Sequence, residues 1–549
     1  MKFNVKKEDL LFVPLGGAGE IGMNVNLYRY KGKWLMFDLG AGFADDTLPG
    51  IDMMAPDLTF VYENKKDFLG IVLTHAHEDH IGSVTYLWGQ LGCPIYATPF
   101  TAAVIKAKLE GEGITPPGKL NIIDVNSDIE IGPFKVELVQ ITHSIPEMSG
   151  AIIKTEYGNI MHTGDWKIDP DPVIGPTTDE QRLIDYGKEG VLCMVCDSTN
   201  VLNEGHSGSE GDLLPSLKKL ISEQNGLVAV TTFASNVARI DTIVRAAEAN
   251  GRQVALLGRS LGRIVGAAKE CGYLSDVNFV NERHVHKVPR NKMLLICTGC
   301  QGEPHAAMNK LVNNEHQTVR LIPGDTVIFS SKIIPGNEKK IFRMYNKLLH
   351  TGMEVITEKD HFVHVSGHPC REELRHMYKM LKPEIAIPVH GEALHIHEHI
   401  KLAKEMGVPK QVEVENGSLV RIAPGRPEVL GKVQSGYLGV DGFLLVPSEG
   451  NVIKMRRRIM IDGLAFVVLV MNKKGKLEAT PVISTPGLLD EQENKFFIED
   501  IALDIEKKIE STRHVSEEKI ATMVTKTVRS YLKREIGKYP FVKVQIVRV

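Results

Sequence analysis

The stretch Thr74-His75-Ala76-His77-Glu78-Asp79-His80 places five metal-competent side chains in six residues, directly after the apolar run Leu69-Gly70-Ile71-Val72-Leu73. A strand that ends in a tight loop accommodates such a segment. It would turn His75 and His77 toward one position and Asp79 and His80 toward a neighbouring one, as a two-metal site requires. Chance does not supply this density, because the chain has only 20 His in 549 residues.

The spacing H-x-H-x-D-H resembles the signature of the metallo-β-lactamase superfamily. The ligands this resemblance implies then follow in order. An early Asp at a strand end is met by Asp38 in Trp34-Leu35-Met36-Phe37-Asp38, and a lone His by His143 in Gln140-Ile141-Thr142-His143-Ser144. A bridging Asp is met by Asp165 in Met161-His162-Thr163-Gly164-Asp165, and a late His by His390 in Ile385-Ala386-Ile387-Pro388-Val389-His390. Each ends a short apolar or β-branched run, as expected of a site assembled from loops at one sheet edge.

A competing motif points elsewhere. Gly17-Ala18-Gly19-Glu20-Ile21-Gly22 is a formal dinucleotide fingerprint, preceded by a strand-like run and followed at a distance by Asp38. A nucleotide site needs a helix straight after the glycines. Met23-Asn24-Val25-Asn26-Leu27-Tyr28-Arg29-Tyr30 instead alternates with period two and reads as a strand. The glycines therefore read as a turn between strands.

The length predicts two to four domains with an ample core, and 43% apolar with 24% charged residues is ordinary for a globular chain. No leader-like segment and no apolar run near twenty residues stands out, so a cytoplasmic, non-membrane protein is expected. A net charge of −3 exerts no global pull on nucleic acid, which leaves local patches or metal ions to do so. Seven scattered cysteines argue against a disulfide framework. In Cys193-Met194-Val195-Cys196, residues three apart on a strand face opposite sides and cannot chelate together. Cys297 and Cys300 are also read as structural.

Between residue 205 and His390, strand-like runs (226–232, 253–257, 292–296, 326–329) alternate with helical ones, among them about 237–249. That rhythm predicts a parallel α/β domain inserted into the metal-site domain. An insertion at this place resembles the β-CASP group of nucleases, and the segments are similar to those of the bacterial ribonuclease J family. The resemblance rests on Cys196-Asp197-Ser198-Thr199-Asn200, Phe233-Ala234-Ser235-Asn236, Gly258-Arg259-Ser260-Leu261, Thr298-Gly299-Cys300-Gln301-Gly302-Glu303-Pro304, Ile334-Pro335-Gly336-Asn337-Glu338, His364-Val365-Ser366-Gly367-His368 and Pro388-Val389-His390-Gly391-Glu392. It covers about residues 8 to 445. Glu147-Met148 departs from the family's Asp-Ser, and Cys300 replaces a Ser.

The resulting expectation is an α/β chain: a metallo-β-lactamase αββα sandwich in two parts (1–207 and 356–449), an inserted parallel β-CASP domain (208–355) and a small α+β C-terminal domain (450–549). Within the last, Ile459-Met460-Ile461 and 465–470 read as strands, 491–511 and 515–536 as helices, and 541–547 as a final strand. The run Lys454-Met455-Arg456-Arg457-Arg458 reads as a solvated linker that could touch RNA.

By the resemblance, His75, His77 and His143 would hold one divalent ion and Asp79, His80 and His390 a second, bridged by Asp165, with Asp38 orienting a ligand or its loop. Ligands of His and carboxylate without Cys suit zinc and tolerate manganese or magnesium. Asp197 and His368 match positions assigned to proton transfer. Ser235, Asn236, Val237, His364, Val365, Ser366, Gly367 and His368 match places where RNA phosphates are held. His395, His397 and His399 read as the exposed face of a helix over 392–404, and His284 and His286 as solvated.

The implied activity is a metal-dependent ribonuclease that cuts internally and degrades single-stranded RNA from 5′-monophosphate ends. It would act as a homodimer or tetramer, with RNA-decay or ribosome-associated partners. A hydrolase of small esters, a DNA-directed nuclease and a non-catalytic RNA-binding scaffold are the competing classes. The first would not need the insertion, the second is separated by matched RNA and DNA substrates, and the third typically loses ligands that this chain retains.

Overall fold

The computed structural model describes residues 5–512 and 516–549. They form two compact units, 5–42 with 55–436, and 43–54 with 437–549.

The first unit is built on two facing sheets. The eight-stranded sheet contains Leu10–Gly16, Val25–Tyr30, Lys33–Phe37 and Phe68–Val72 as consecutive neighbours. The seven-stranded sheet runs Phe134–Gln140, Ser149–Thr155, Gly158–His162, Val191–Asp197 and Ile385–Val389. Period-two alternation explains why they stack. Leu10, Phe12, Tyr28, Leu35 and Phe37 from one sheet meet Val136, Leu138, Ile153, Ile160 and Ile387 from the other in one buried cluster. On Val191–Asp197, Cys193 and Val195 enter this inter-sheet core. Met194 and Cys196 point the other way, under the helices Glu180–Glu189, Arg371–Leu381 and Ala393–Glu405. The two cysteines thus lie on opposite faces, and all seven cysteines are free thiols.

The glycine-rich segment does join strands: Leu10–Gly16 and Val25–Tyr30 pair antiparallel across it. It has a second role that the sequence did not show. Ala18–Gly19 pairs with Gly391–Glu392, and the Gly17 carbonyl accepts the His390 N–H. The turn therefore holds the loop of His390.

The insertion is a six-stranded, all-parallel sheet: Phe279–Val280, Gln253–Leu257, Met293–Cys297, Val228–Thr231, Thr326–Phe329, Glu354–Ile356. The helix Val237–Ala249 falls where its periodicity placed it.

In the second unit, the strands Val482–Ser484, Leu464–Met471 and Phe541–Arg548 form a sheet whose buried face packs on the helices Lys495–Glu510 and Glu517–Ile536. Two expectations fail there. Ile459-Met460-Ile461 is not a strand but the last turn of the helix Asn451–Asp462, bracketed by Gly450 and Gly463. The three apolar residues continue a run of good helix formers, Lys454 to Arg458, and this local propensity outweighs the short β-branched signal. That basic run is likewise no solvated linker: Arg456 pairs with Asp441 at 2.5 Å, Arg457 donates to the Thr47 carbonyl, and Arg458 lies over the Phe541 ring. Among the described residues, no helix is long and apolar enough to cross a membrane.

Candidate metal centre and substrate loop

The seven candidate ligands, and with them Asp38 and Asp197, each sit at the carboxyl end of a strand. Asp38 follows Lys33–Phe37, the His75–His80 segment follows Phe68–Val72, His143 follows Phe134–Gln140, Asp165 follows Gly158–His162, Asp197 ends Val191–Asp197, and His390 follows Ile385–Val389. The ladders fix this convergence. Gly158–His162, Val191–Asp197 and Ile385–Val389 are mutually parallel, and Phe134–Gln140 shares their direction through two antiparallel steps. All these loops therefore open on one edge. Two of these loops take left-handed backbone at non-glycine residues, Asp38 (φ 63°) and His390 (φ 52°), a conformation that persists only where surrounding contacts enforce it.

The seven predicted ligands come together as two cradles sharing one carboxylate. Donor atoms of His75, His77, His143 and Asp165 lie within 4.8 Å of one another, and so do those of Asp79, His80, Asp165 and His390. His77 Nδ1 is 3.0 Å from His75 Nε2 and 3.1 Å from His143 Nε2. Donors on a tetrahedral zinc, at roughly 2.0–2.1 Å each, are separated by roughly 3.4 Å, close to these spacings. His390 Nε2 is buried without a well-aligned hydrogen bond, 3.3 Å from the Asp79 carboxylate. Three imidazole nitrogens converging on one point, a fourth facing a carboxylate and a shared buried carboxylate fit divalent cations better than an internal hydrogen-bond scheme.

The outer nitrogens are committed elsewhere, which aims the inner ones. His80 Nδ1 donates to Asp38 Oδ2 at 2.7 Å, and the His75 Nδ1 to Thr74 Oγ1 contact is 3.0 Å. Asp38 in turn receives the Thr74 N–H and hydroxyl. His143 Nδ1 donates to the Gly367 carbonyl at 2.6 Å. Such outer contacts fix tautomer and ring orientation at metal sites.

Electrostatics divides the histidines. Burial drives His75 and His143 far below the usual imidazole range and His77 down to about 4, the neutral form in which nitrogen offers a lone pair. Burial also opposes charge on His80 and His390, but the surrounding carboxylates, Asp165 foremost, outweigh it and raise both. Burial disfavours ionised Asp79, Asp165 and Asp197, yet the facing histidines hold all three below the usual carboxylate range. Buried carboxylates at the centre are thus balanced by the raised histidines, a role that divalent cations could take over.

Beside it, His368 Nδ1 donates to Asp197 Oδ2 at 2.8 Å, and burial, which opposes its charge, is outweighed by Asp197. Asp197 is itself fixed by the Thr199 N–H and hydroxyl. Asn200 donates to Ser366 Oγ and the His368 carbonyl, tying the segment 364–368 to the end of the Val191–Asp197 strand.

Gly367 has a role the sequence reading did not foresee. A Cβ there would lie 2.8 Å from Ser144 Oγ and 2.9 Å from His143 Cε1, so the missing side chain makes room for His143, a candidate ligand. Gly367→Ala should lower metal affinity by about 10- to 100-fold with the fold retained. Metal titration followed by thermal melting checks this, and unchanged affinity would mean the loop yields without cost.

Ser235, Asn236 and Val237 lie at the entry to the helix Val237–Ala249, where Asn236 is buried and its side-chain oxygen caps the Arg239 N–H. Sequence reasoning missed Arg239 itself, wholly buried against Glu210, as well as Asn200, Thr199 and Asn24, whose amide lies 3.0 Å from His80 Nε2. Arg239 carried one legible signal: it lies four residues before Ile243, on the helix's apolar face, where a lone cation implies a buried partner. One histidine reading is corrected. His397 is exposed and His395 half-buried, but His399 is fully buried, bridging Ser198 Oγ and Tyr378 OH at 2.9 Å each, because its helix packs that face on the seven-stranded sheet.

Comparison with known proteins agrees with this architecture. Residues 19–230 match the metallo-beta-lactamase superfamily, 225–348 the family described as ribonuclease J, beta-CASP domain, 352–414 the Zn-dependent metallo-hydrolase RNA specificity domain, and 451–549 the ribonuclease J C-terminal domain. The chain is 42% identical to a ribonuclease J of Sinorhizobium meliloti over 99% of this chain and 98% of that one. It is 35% identical to one of Thermus thermophilus (85% and 83%) and 33% identical to one of Helicobacter pylori strain B128 (97% and 79%). A crystal structure of a protein of unknown function from Enterococcus faecalis V583 shares the fold, with a TM-score of 0.53 at 18% identity over 75% of this chain and 99% of that one. With its four domain types in this order and near full-length identity of 42%, the chain belongs to the ribonuclease J family, nuclease hydrolases built on the metallo-β-lactamase fold.

Proposed function

We propose that this protein hydrolyses RNA phosphodiester bonds with two divalent ions, cutting internally and also releasing nucleotides stepwise from 5′-monophosphate ends. The observation that carries this reading is Asp165, whose carboxylate lies within reach of both histidine cradles. His75, His77 and His143 would hold one ion, Asp79, His80 and His390 the other, with Asp165 between them and zinc the ion best suited to the donors. Ions so held supply Lewis-acid charge at the scissile phosphate and ease deprotonation of a water.

The chain's own groups do the rest. Asp38 and the Gly367 carbonyl keep the ligand imidazoles in the orientation just described. Asp197 orients His368 and favours its charged form, from which Nε2 can give a proton to the departing 3′ oxygen. The loop of His364, Val365, Ser366, Gly367 and His368, with the Ser235-Asn236-Val237 turn, would grip phosphates upstream of the cut. Asn200 pre-orders that loop through Ser366.

We place the catalytic fold in 1–207 and 356–449, the β-CASP insertion in 208–355, and a role in pairing copies into dimers or tetramers in 450–549. The test of the activity is one labelled RNA carrying either a 5′-monophosphate or a 5′-triphosphate, and a DNA of the same sequence. Stepwise release of mononucleotides from the monophosphate RNA, little from the triphosphate RNA, and loss of all cleavage after chelation are expected. Equal release from both ends would remove the end pocket from the proposal, and cleavage of DNA alone would overturn the RNA assignment.

A further inference from the structure

Arg239 is fully buried and contacts several groups around the loop 363–368. Its fork meets Glu210 twice, Nε to Oε1 at 2.5 Å and Nη2 to Oε2 at 2.9 Å. Nη1, with two hydrogens, lies within reach of the Ser330 carbonyl (3.0 Å), Ser330 Oγ (2.8 Å), the Val363 carbonyl (3.5 Å) and His364 Nδ1 (3.3 Å), while Nη2 reaches the Val365 carbonyl at 3.4 Å. Its backbone N–H is capped by Asn236.

Glu210 is not free to drift either. It is 4% exposed, its N–H donates to Asp169 Oδ2, and Asp169 is paired with the buried Lys167 at 2.6 Å. A chain of charged contacts therefore runs from the segment following Asp165, through Asp169 and Glu210, to Arg239 and the loop that ends in His368.

A guanidinium carries donors and no acceptor. Facing it, His364 Nδ1 can only accept, so the proton of a neutral His364 belongs on Nε2. Neutrality is enforced by burial first and by the Arg239 charge second, both of which push the imidazole far below its usual range. We propose that Arg239, anchored by Glu210, is a positioning residue for RNA binding: it fixes the backbone of 363–365 and holds His364 as the neutral Nε2–H tautomer, a ready donor to an RNA phosphate. The inference rests on the ribonuclease reading for what the donor meets, but not for the tautomer itself. Lysine would keep the charge against Glu210 and lose the fork that reaches Ser330, Val363, His364 and Val365 together.

The experiment has an arm that needs no RNA. Nitrogen-15 NMR of histidine-labelled protein, with the His364 signals identified by their loss in His364→Gln, should show an unprotonated Nδ1 and a protonated Nε2. An Nδ1–H tautomer or an imidazolium at neutral pH overturns the proposal.

The kinetic arm compares His364→Gln, whose amide nitrogen can stand near Nε2, with His364→Asn, whose amide nitrogen stands near Nδ1. The KM for RNA should stay within about threefold in the first, and rise about 10- to 100-fold in the second, the loss of a hydrogen bond to a charged group. Arg239→Lys should raise KM by a similar factor, with a smaller change in kcat and with metal content unchanged. Equal KM for the Gln and Asn variants, or an unaltered KM in a folded Arg239→Lys protein, would also overturn it. If wild type shows the Nε2–H tautomer yet cleaves no RNA, the activity assignment fails while the device stands.

Discussion

Asp165→Asn should reduce RNA cleavage by about 10³-fold or more, corresponding to roughly 4 kcal/mol of transition-state stabilisation, and should lower the bound metal below two ions per chain. The carboxylate lies 2.8 Å from His390 Nδ1, 3.1 Å from His80 Nε2, 3.8 Å from His75 Nε2 and 3.9 Å from His143 Nε2. Among the described residues, no other side chain is shared by both cradles. An asparagine keeps the shape but brings half the oxygen donors and no charge, so the geometry should survive in the fold while the cation sites weaken. Metal stoichiometry measured beside turnover checks this. Wild-type activity at wild-type metal content would end the shared-carboxylate assignment.

His368→Ala should slow cleavage by roughly 10²–10⁴-fold with both ions still bound. The pair His368 and Asp197 acts as a unit in the geometry, one hydrogen bond of 2.8 Å holding the ring. Asp197→Asn should therefore cost a comparable factor, and the double variant little more than the worse single one. Fully additive losses would show that the two groups work independently. Loss of metal from His368→Ala would place His368 among the ligands, a possibility its contact with Asp165 and His390 makes worth measuring.

The candidate ligands were legible through the dense His75–His80 segment and the family resemblance it opened, and each lies where an apolar strand stops. That resemblance supplied His143, Asp165 and His390, and the strand before each one fitted it. Cys193 and Cys196 were legible without it, since strand alternation alone separates them. The inserted domain announced itself through regular alternation of buried strands with amphipathic helices. By contrast, the helix Asn451–Asp462 was partly misread, because its closing triplet carries a strand-like composition that only its neighbours override.

What the sequence determined by itself was therefore local and periodic: strand ends rich in ligands, the parallel insertion, the absence of a disulfide framework. What the tertiary structure decided was which polar groups are buried and what they face. His399 bridges Ser198 and Tyr378, across 201 and 21 residues of chain. Arg239 reaches Val365 across 126. Gly367 clears space for a histidine 224 residues before it. Residues 43–54 fold with 437–549 rather than with their neighbours in sequence. Hydrophobic periodicity records how far a segment is buried, because burial acts on each residue separately. A hydrogen bond or buried ion pair depends on two residues at once, and its second member becomes identifiable only when the chain is folded.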